Sequence, residues 1–292
     1  MTVHHKVLAG IGLAIGACAC FSALDTTTKA VSPFVPLLMA LWFRYAFQAL
    51  ATTAVVIPLR GKRVLRTQHL PFQLLRGVLL LVSSLLAFAS LRFMPVGEFT
   101  AIVMITPLAV TLMAATRLKE HVSPTRWALV AGGFVGTLII IRPGGEAFTW
   151  ASLLPLVLVA SNTWFQVITS QLARTEDPLT THLYTGWTGT LIATLGLPFV
   201  WTQLPDPWLW AGLGFMGLMG TVGHFLLVLA YHKAPASALT PYLYSQIAFS
   251  MLGGWLVFKH LPDGWSMFGM VLIAICGAGG AWLTVRENRR FA

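Results

Sequence analysis

The sequence predicts an all-α membrane protein with ten transmembrane helices, arranged as two inverted five-helix repeats. Three observations lead there. Of 292 residues, 57% are hydrophobic and only 10% charged, where a soluble domain is about a quarter charged. Apolar runs near the ~20 residues needed to span a bilayer recur from one end of the chain to the other. The second half also repeats the layout of the first.

The runs can be taken in order. The first, 7–31, is too long for a signal-peptide core, contains Asp25 and Lys29, and has no small-residue cleavage site, so it reads as a retained helix. The second, 34–58, holds Arg44 well inside it, while Arg60, Arg63 and Arg66 follow its end. The third and fourth, 71–92 and 95–117, meet just before Pro95, and the fifth, 125–142, contains "GGFVG" at 132–136. The second half supplies 150–173, 178–201, 207–231, 235–258 and 265–285. These runs leave no extramembrane domain. The expected repeats are residues 1–146 and 147–292.

A net charge of +10 invites a nucleic-acid reading, but the distribution argues for topology instead. With the N-terminus in the cytoplasm, the inner segments hold 13 of the 19 Lys and Arg residues. The outer loops hold four: Lys29, Arg92, Arg142 and Lys259. Basic residues are retained on the cytoplasmic side. Both termini are therefore expected inside, in a bacterial-type inner (cytoplasmic) membrane, with no nucleic-acid partner. Cys18, Cys20 and Cys276 all lie in apolar runs. Two residues apart on a helix, Cys18 and Cys20 point to different sides and cannot chelate together.

Repetition shows when "LRFMPVGEFTAIVMITPLAVTLMAATRLKEHVSP" (91–124) is set against "YHKAPASALTPYLYSQIAFSMLGGWLVFKHLPDG" (231–264). A shift of 140 aligns Pro95 with Pro235, Thr100 with Thr240 and Lys119 with Lys259. Each segment has a proline at the helix start, an apolar helix of equal length and a lysine at its exit. Five helices per half force the second half to start on the opposite membrane face, an inverted repeat of the kind secondary transporters use.

"ATRLKEHVSPTRWALVAGGFVGTLIIIRPGG" (115–145) resembles the end of a first EamA repeat in the drug/metabolite transporter superfamily, and "HLPFQLLRGVLLLVSSLLAFASLRFMPVGEFTAI" (69–102) resembles the two preceding helices. The "LLRG" at 74–77, Glu120 at the exit and "RPG" at 142–144 are most similar to the branch of riboflavin- and S-adenosylmethionine-uptake-type carriers. The resemblance implies a ten-helix secondary carrier of a small organic metabolite, riboflavin-, S-adenosylmethionine- or organic-anion-like, working by alternating access without a bound cofactor. The alternatives are an amino-acid or metabolite exporter of the same superfamily and, more distantly, a membrane-embedded enzyme. Two departures stand out. Lys259 and His260 replace a second acidic exit residue. The first helix also lacks the central acidic residue on which the superfamily's small multidrug exporters depend, which argues against their proton-coupled mechanism. Expected partners are the small-molecule substrate and the lipid bilayer; a coupling proton or counter-substrate and a homodimer stay open.

Ionisable groups inside a bilayer cost roughly 2.5–3.5 kcal/mol each on insertion scales and usually face a polar interior. Ser22, Asp25, Thr26 and Lys29 share one face of the first helix, and Arg44, Gln48 and Thr52 share one face of the second. Asp25 and Arg44 lie at comparable depth, some two turns from the outer surface. Either the pair clips two helices together, or Arg44 binds an anionic group of the substrate while Asp25 tunes it. Arg76 is expected to snorkel to the cytoplasmic headgroups, and Glu98 to sit near Arg92 in a structural role. In the second half, Asn162, Trp164 and Gln166, then His182, Tyr184 and Trp187, then His224, then Tyr242, Tyr244 and Gln246 offer rings and polar groups suited to a flat organic ligand. Inter-helix packing is the plain alternative for each. Tyr242 and Gln246, at i and i+4, form the most suggestive pair.

"GLGFMGLMGTVG" (212–223) contains G-x-G-x-x-G, but a dinucleotide site needs a preceding strand. Inside an apolar run, small residues that let helices approach explain it better, as they explain "GGFVG" and "GAGG" at 277–280. No metalloprotease, nucleophile-elbow or phosphate-loop motif is present, and no filter sequence of a channel.

Overall fold

The computed structural model describes residues 3–106, 108–110, 113, 124–142, 149–172, 175–233, 239 and 242–288. Its helices are α1 (Val3–Val31), α2 (Leu37–Arg60), α3 (Leu70–Phe93), α4 (Val96–Val103), α5 (Pro124–Ile141), α6 (Leu154–Leu172), α7 (Pro178–Val200), α8 (Pro207–Lys233), α9 (Ser245–Phe258) and α10 (Gly264–Asn288). Short 3₁₀ turns at Gly61–Leu65 and Trp150–Leu153 complete the described elements, which include no strand. The predicted exit residues Lys119 and Glu120, Pro143 and Gly144, and the repeat positions Pro235 and Thr240 lie outside the described residues.

Punctuation of the chain is local. Pro71, Pro178 and Pro207 sit where a missing N–H costs nothing, in the first turn of a helix. Asp177 caps α7, its side chain accepting from Leu179 N at 2.8 Å. Gly61 ends α2 at φ 67°, a conformation that glycine adopts without a Cβ clash.

Five windows are long and apolar enough to cross a membrane: Leu8–Val31, Leu37–Arg60, Leu70–Phe93, Trp150–Thr169 and Pro207–Ala230. Shorter apolar stretches follow at Val96–Val110, Trp127–Ile141, Ser245–Phe258 and Gly264–Gly280. The α7 helix is long but threonine-rich. Its hydroxyls are hidden by bonding back along the helix: Thr185 to Thr181 O, Thr190 to Gly186 O and Thr194 to Thr190 O, at 2.7–2.8 Å.

Packing joins the two halves at nearly every large interface. α1 lies on α8 and α9, α2 on α7 and α8, α3 on α6 and α7, α4 on α9 and α6, and α5 on α10. When each of α1–α5 is matched with the helix five places later, α1–α8 corresponds to α6–α3, α1–α9 to α6–α4, and α2–α8 to α7–α3. The α2–α7, α4–α9 and α5–α10 contacts map onto themselves. Two large apolar clusters stand out among the described residues. One joins Leu24, Met39, Phe88, Leu213 and Met216; the other joins Ile102, Ile140, Tyr244, Met270 and Ile273.

The glycine runs are close-approach surfaces, as the sequence predicts. A Cβ on Gly136 would lie 2.9 Å from Gly269 O, and one on Gly217 would lie 2.6 Å from Phe47 Cβ.

The fourth helix of each half is interrupted. Met104 (φ −69°, ψ 0°) and Tyr244 (φ −65°, ψ −14°) form turns at positions related by the same shift of 140. Each turn is tightened by a three-residue bond, Ile105 N to Ile102 O and Ile247 N to Tyr244 O, both 3.1 Å. The expected uninterrupted helix over 235–258 is thus broken just ahead of Ser245.

Candidate functional site

Arg44 lies two turns into α2, with its head between α3 and α8. Nη1 donates to Ser84 Oγ at 3.0 Å. Ser84 spends its single proton on Leu80 O, at 2.8 Å, so its lone pairs receive Arg44 and the Tyr45 hydroxyl, the latter at 2.8 Å. The guanidinium carbon sits 5.5 Å from the Tyr45 ring centre. On the α8 side, Gly220 leaves room: a Cβ there would come within 3.2 Å of Arg44 Nε. That Nε is buried and has no hydrogen-bond partner among the described residues.

Asp25, on α1, accepts from Gln246 Nε2 of α9 at 3.5 Å. No hydrogen bond or ion pair joins it to Arg44 among the described residues, although the two charges interact through space. Of the two readings open from the sequence, the direct clip between α1 and α2 is not what the described residues show. Equal depth had suggested neighbours, but α1 and α2 each pack on α8, and Arg44 turns to α3. One turn beyond Gly220, the His224 ring meets Phe21 edge-on at 4.9 Å. Below Asp25, Ser250 Oγ joins Ser22 Oγ and Thr100 Oγ1, each at 2.9 Å, and Ser22 also donates to Gln246 O at 3.1 Å. A hydroxyl seam thus runs across α1, α4 and α9. Asp25, Arg44, Gln246 and His224 come together here with Ser84 and Tyr45.

The remaining candidates lie elsewhere or are tied to structural partners. Gln48 is buried and donates to His182 O at 3.3 Å, locking α2 to α7. Trp187 Nε1 donates to Thr53 Oγ1 at 3.0 Å, and Tyr184 OH to Leu65 O at 2.9 Å, beyond the end of α2. Asn162 and Gln166 are half-buried on α6, and Trp164 is 42% exposed. Tyr244 packs under α10, where its ring occupies the space a Cβ on Gly277 would need. Tyr242 and Gln246 sit in different surroundings: Tyr242 is 40% exposed, Gln246 is buried, and the Tyr244 turn lies between them.

Two charged residues also depart from expectation. Arg76 does not snorkel; it is 6% exposed, donates to Thr169 Oγ1 at 2.7 Å, to Thr181 O and to Thr185 Oγ1, and stacks over Phe165. Glu98 meets His260 rather than Arg92, its Oε1 3.4 Å from the His260 Nε2. Sequence reasoning missed Ser84, Tyr45, Ser250 and Gly220. The adjacent serines at 83 and 84, mid-way along an apolar run, are the one signal that marked the first of these.

The site has no group of three or more His, Cys, Asp or Glu side chains able to hold a metal, among the described residues. What it offers is a guanidinium with a spare donor, a carboxylate, an amide and aromatic edges.

Comparison with known proteins identifies the family of the whole chain. The EamA-like transporter family matches twice, over residues 8–142 and 149–281. A riboflavin transporter of Rhizobium johnstonii is 31% identical over 275 residues, covering 91% of this chain and 86% of that protein. An S-adenosylmethionine uptake transporter of Rickettsia conorii is 25% identical over 266 residues, covering 91% and 90%. One crystal structure superposes with a TM-score of 0.66 at 20% identity, over 97% of this chain and 99% of its own, which supports the fold alone. The chain is a multi-pass membrane protein that belongs to the EamA-like transporter family.

Proposed function

We propose that this chain is a secondary carrier of a small organic metabolite, with Arg44 contacting an anionic or carbonyl-rich part of the substrate. The observation that carries the proposal is the buried Arg44 Nε, unpartnered among the described residues, facing Gly220 and in electrostatic reach of Asp25. A permanently charged guanidinium cannot shed its proton to escape burial. A donor left open in such a place is an invitation to a ligand acceptor. Asp25 balances the charge when the site is empty, while His224 and Phe21 supply aromatic edges for a flat ring. Riboflavin presents ring carbonyls and S-adenosylmethionine a carboxylate, so the relatives' substrate classes suit this set.

The architecture in this reading is ten spans as inverted repeats, 1–146 and 147–292, with both termini in the cytoplasm of a bacterial-type inner membrane. Support comes from the two family matches, the correspondence of interfaces between halves, and the interrupted helices at Met104 and Tyr244. Discontinuous helices at the repeat interface are where carriers place their sites. Alternating access then needs the halves to rock about that interface.

Purified protein in proteoliposomes tests this with radiolabelled riboflavin, S-adenosylmethionine and organic acids, with and without a proton gradient. Accumulation of an unmodified compound without ATP is expected. Transport of none of these classes, or transport only with ATP, would sink the reading.

A further inference from the structure

At the end of the bundle where α1 stops and α4 begins, Lys29 occupies an unusual position. Its ammonium donates to Leu91 O at 3.0 Å and Met94 O at 2.9 Å. These are carbonyls of the last turn of α3 and the residue just past it, which a helix leaves without internal partners and which carry the negative end of its dipole. The Phe258 ring of α9 lies 5.8 Å from the same nitrogen, within cation–π range. Glu98, at the start of α4, is in electrostatic reach, and its buried Oε2 has no hydrogen-bond partner among the described residues. A cleft of 270 Å³ opens beside the ammonium, walled by Met94, Pro95, Phe258 and His260. Two backbone oxygens, a carboxylate and a ring face thus converge on one point from α3, α4 and α9. Every one of them favours a cation.

We infer that this corner is an ammonium-binding site, which the chain fills with its own Lys29. Filling it holds the end of α1 against the α3–α4 junction and α9. Those helices border the hydroxyl seam of Ser22, Ser250 and Thr100, so the bound ammonium is the latch that keeps this end of the seam dry. Its role as a gate rests on the carrier reading; the cation site itself rests only on the geometry.

The test removes the ammonium and gives it back. Thr100, fully buried in the seam, is replaced by cysteine in a chain whose Cys18, Cys20 and Cys276 are alanine, and labelling by a charged methanethiosulfonate is followed in nanodiscs. Loss of charge-assisted bonds to two carbonyls shifts the opening equilibrium by about tenfold or more. Lys29→Ala should speed labelling by that factor. Propylammonium, which replaces the side-chain atoms lost, should slow it again, while tetramethylammonium, with no N–H to donate, should not. If Lys29→Ala does not survive extraction, Lys29→Met keeps the stem, loses the charge and carries the accessibility measurement. Labelling that stays slow in these variants overturns the proposal, as does fast labelling of Lys29→Ala that propylammonium leaves unchanged. No transported compound is needed, so failure here leaves the carrier reading standing, and a failed uptake screen leaves this test standing.

Discussion

Replacing Ser84 with alanine removes one oxygen and strands two donors. Arg44 Nη1 and the Tyr45 hydroxyl both end on that atom, at 3.0 and 2.8 Å, and Tyr45 is fully buried. A hydrogen bond to a charged group contributes about 1.5–3 kcal/mol, and a stranded buried hydroxyl costs about 1–3 kcal/mol. Arg44 is only half-buried and recovers part of its share from water. The expected loss is therefore about 2–4 kcal/mol. Ser90→Ala is the control, because Ser90 is just as buried but only bonds back to Leu86 O on its own helix; its loss should stay under about 1 kcal/mol. Thermal unfolding in detergent reads the difference in stability. Substrate uptake reads whether Arg44 has lost its aim, with apparent KM rising more than in Ser90→Ala. Equal stability loss in the two variants, with uptake unaffected in Ser84→Ala, would show that Ser84 does not hold Arg44.

Other variants probe separate parts of the same account. Gly220→Ala places a methyl 3.2 Å from Arg44 Nε and should weaken uptake severalfold, whereas Gly214→Ala, with nothing within 4 Å, should leave uptake intact and gain up to about 1 kcal/mol of helix stability. Glu176 Oε1 accepts from Thr67 Oγ1, Gln68 N and His69 N at 2.8, 2.8 and 3.1 Å, at the start of α3. Glu176→Gln should thus lower thermal stability by about 1–2 kcal/mol through loss of charge at the helix N-terminus. The Arg142 guanidinium beside Asp263, helped by Ser266 N, holds that carboxyl well below the usual carboxylate range. A depressed carboxyl stabilises above its unfolded value of about 3.9 and loses that contribution as pH falls. Melting curves of wild type and Asp263→Asn should accordingly run parallel from about pH 5 to 8 and converge only in stronger acid. Convergence near neutral pH would contradict the assignment.

Helix positions were legible because apolar length is a one-dimensional property: most predicted runs differ from the structure by a few residues. Azimuth is not. Asp25 and Arg44 sit at similar depth, yet depth leaves open which helix lies beside which, and each finds its partner across a different interface, Gln246 on α9 and Ser84 on α3. The same limit explains Tyr244, whose place was set by a glycine 33 positions away on α10, and Glu98, whose partner His260 comes from the loop after α9. Arg76 looked free to snorkel because threonines on two other helices, which hold it, are weak signals in a sequence. By contrast the interruption at Tyr244 had a trace in the repeat itself. The 140-residue shift pairs it with Met104, although neither position carries a helix-breaking residue.

The central claim is that Arg44 reads an acceptor on the transported molecule, and a direct measurement is uptake by wild-type and Arg44→Gln proteoliposomes of a carried acid beside its amide analogue. The wild type should prefer the acid. Arg44→Gln, folded by its melting curve, should lose that preference by about tenfold or more, the value of one charge-assisted contact. Undiminished uptake with the preference intact would contradict the account.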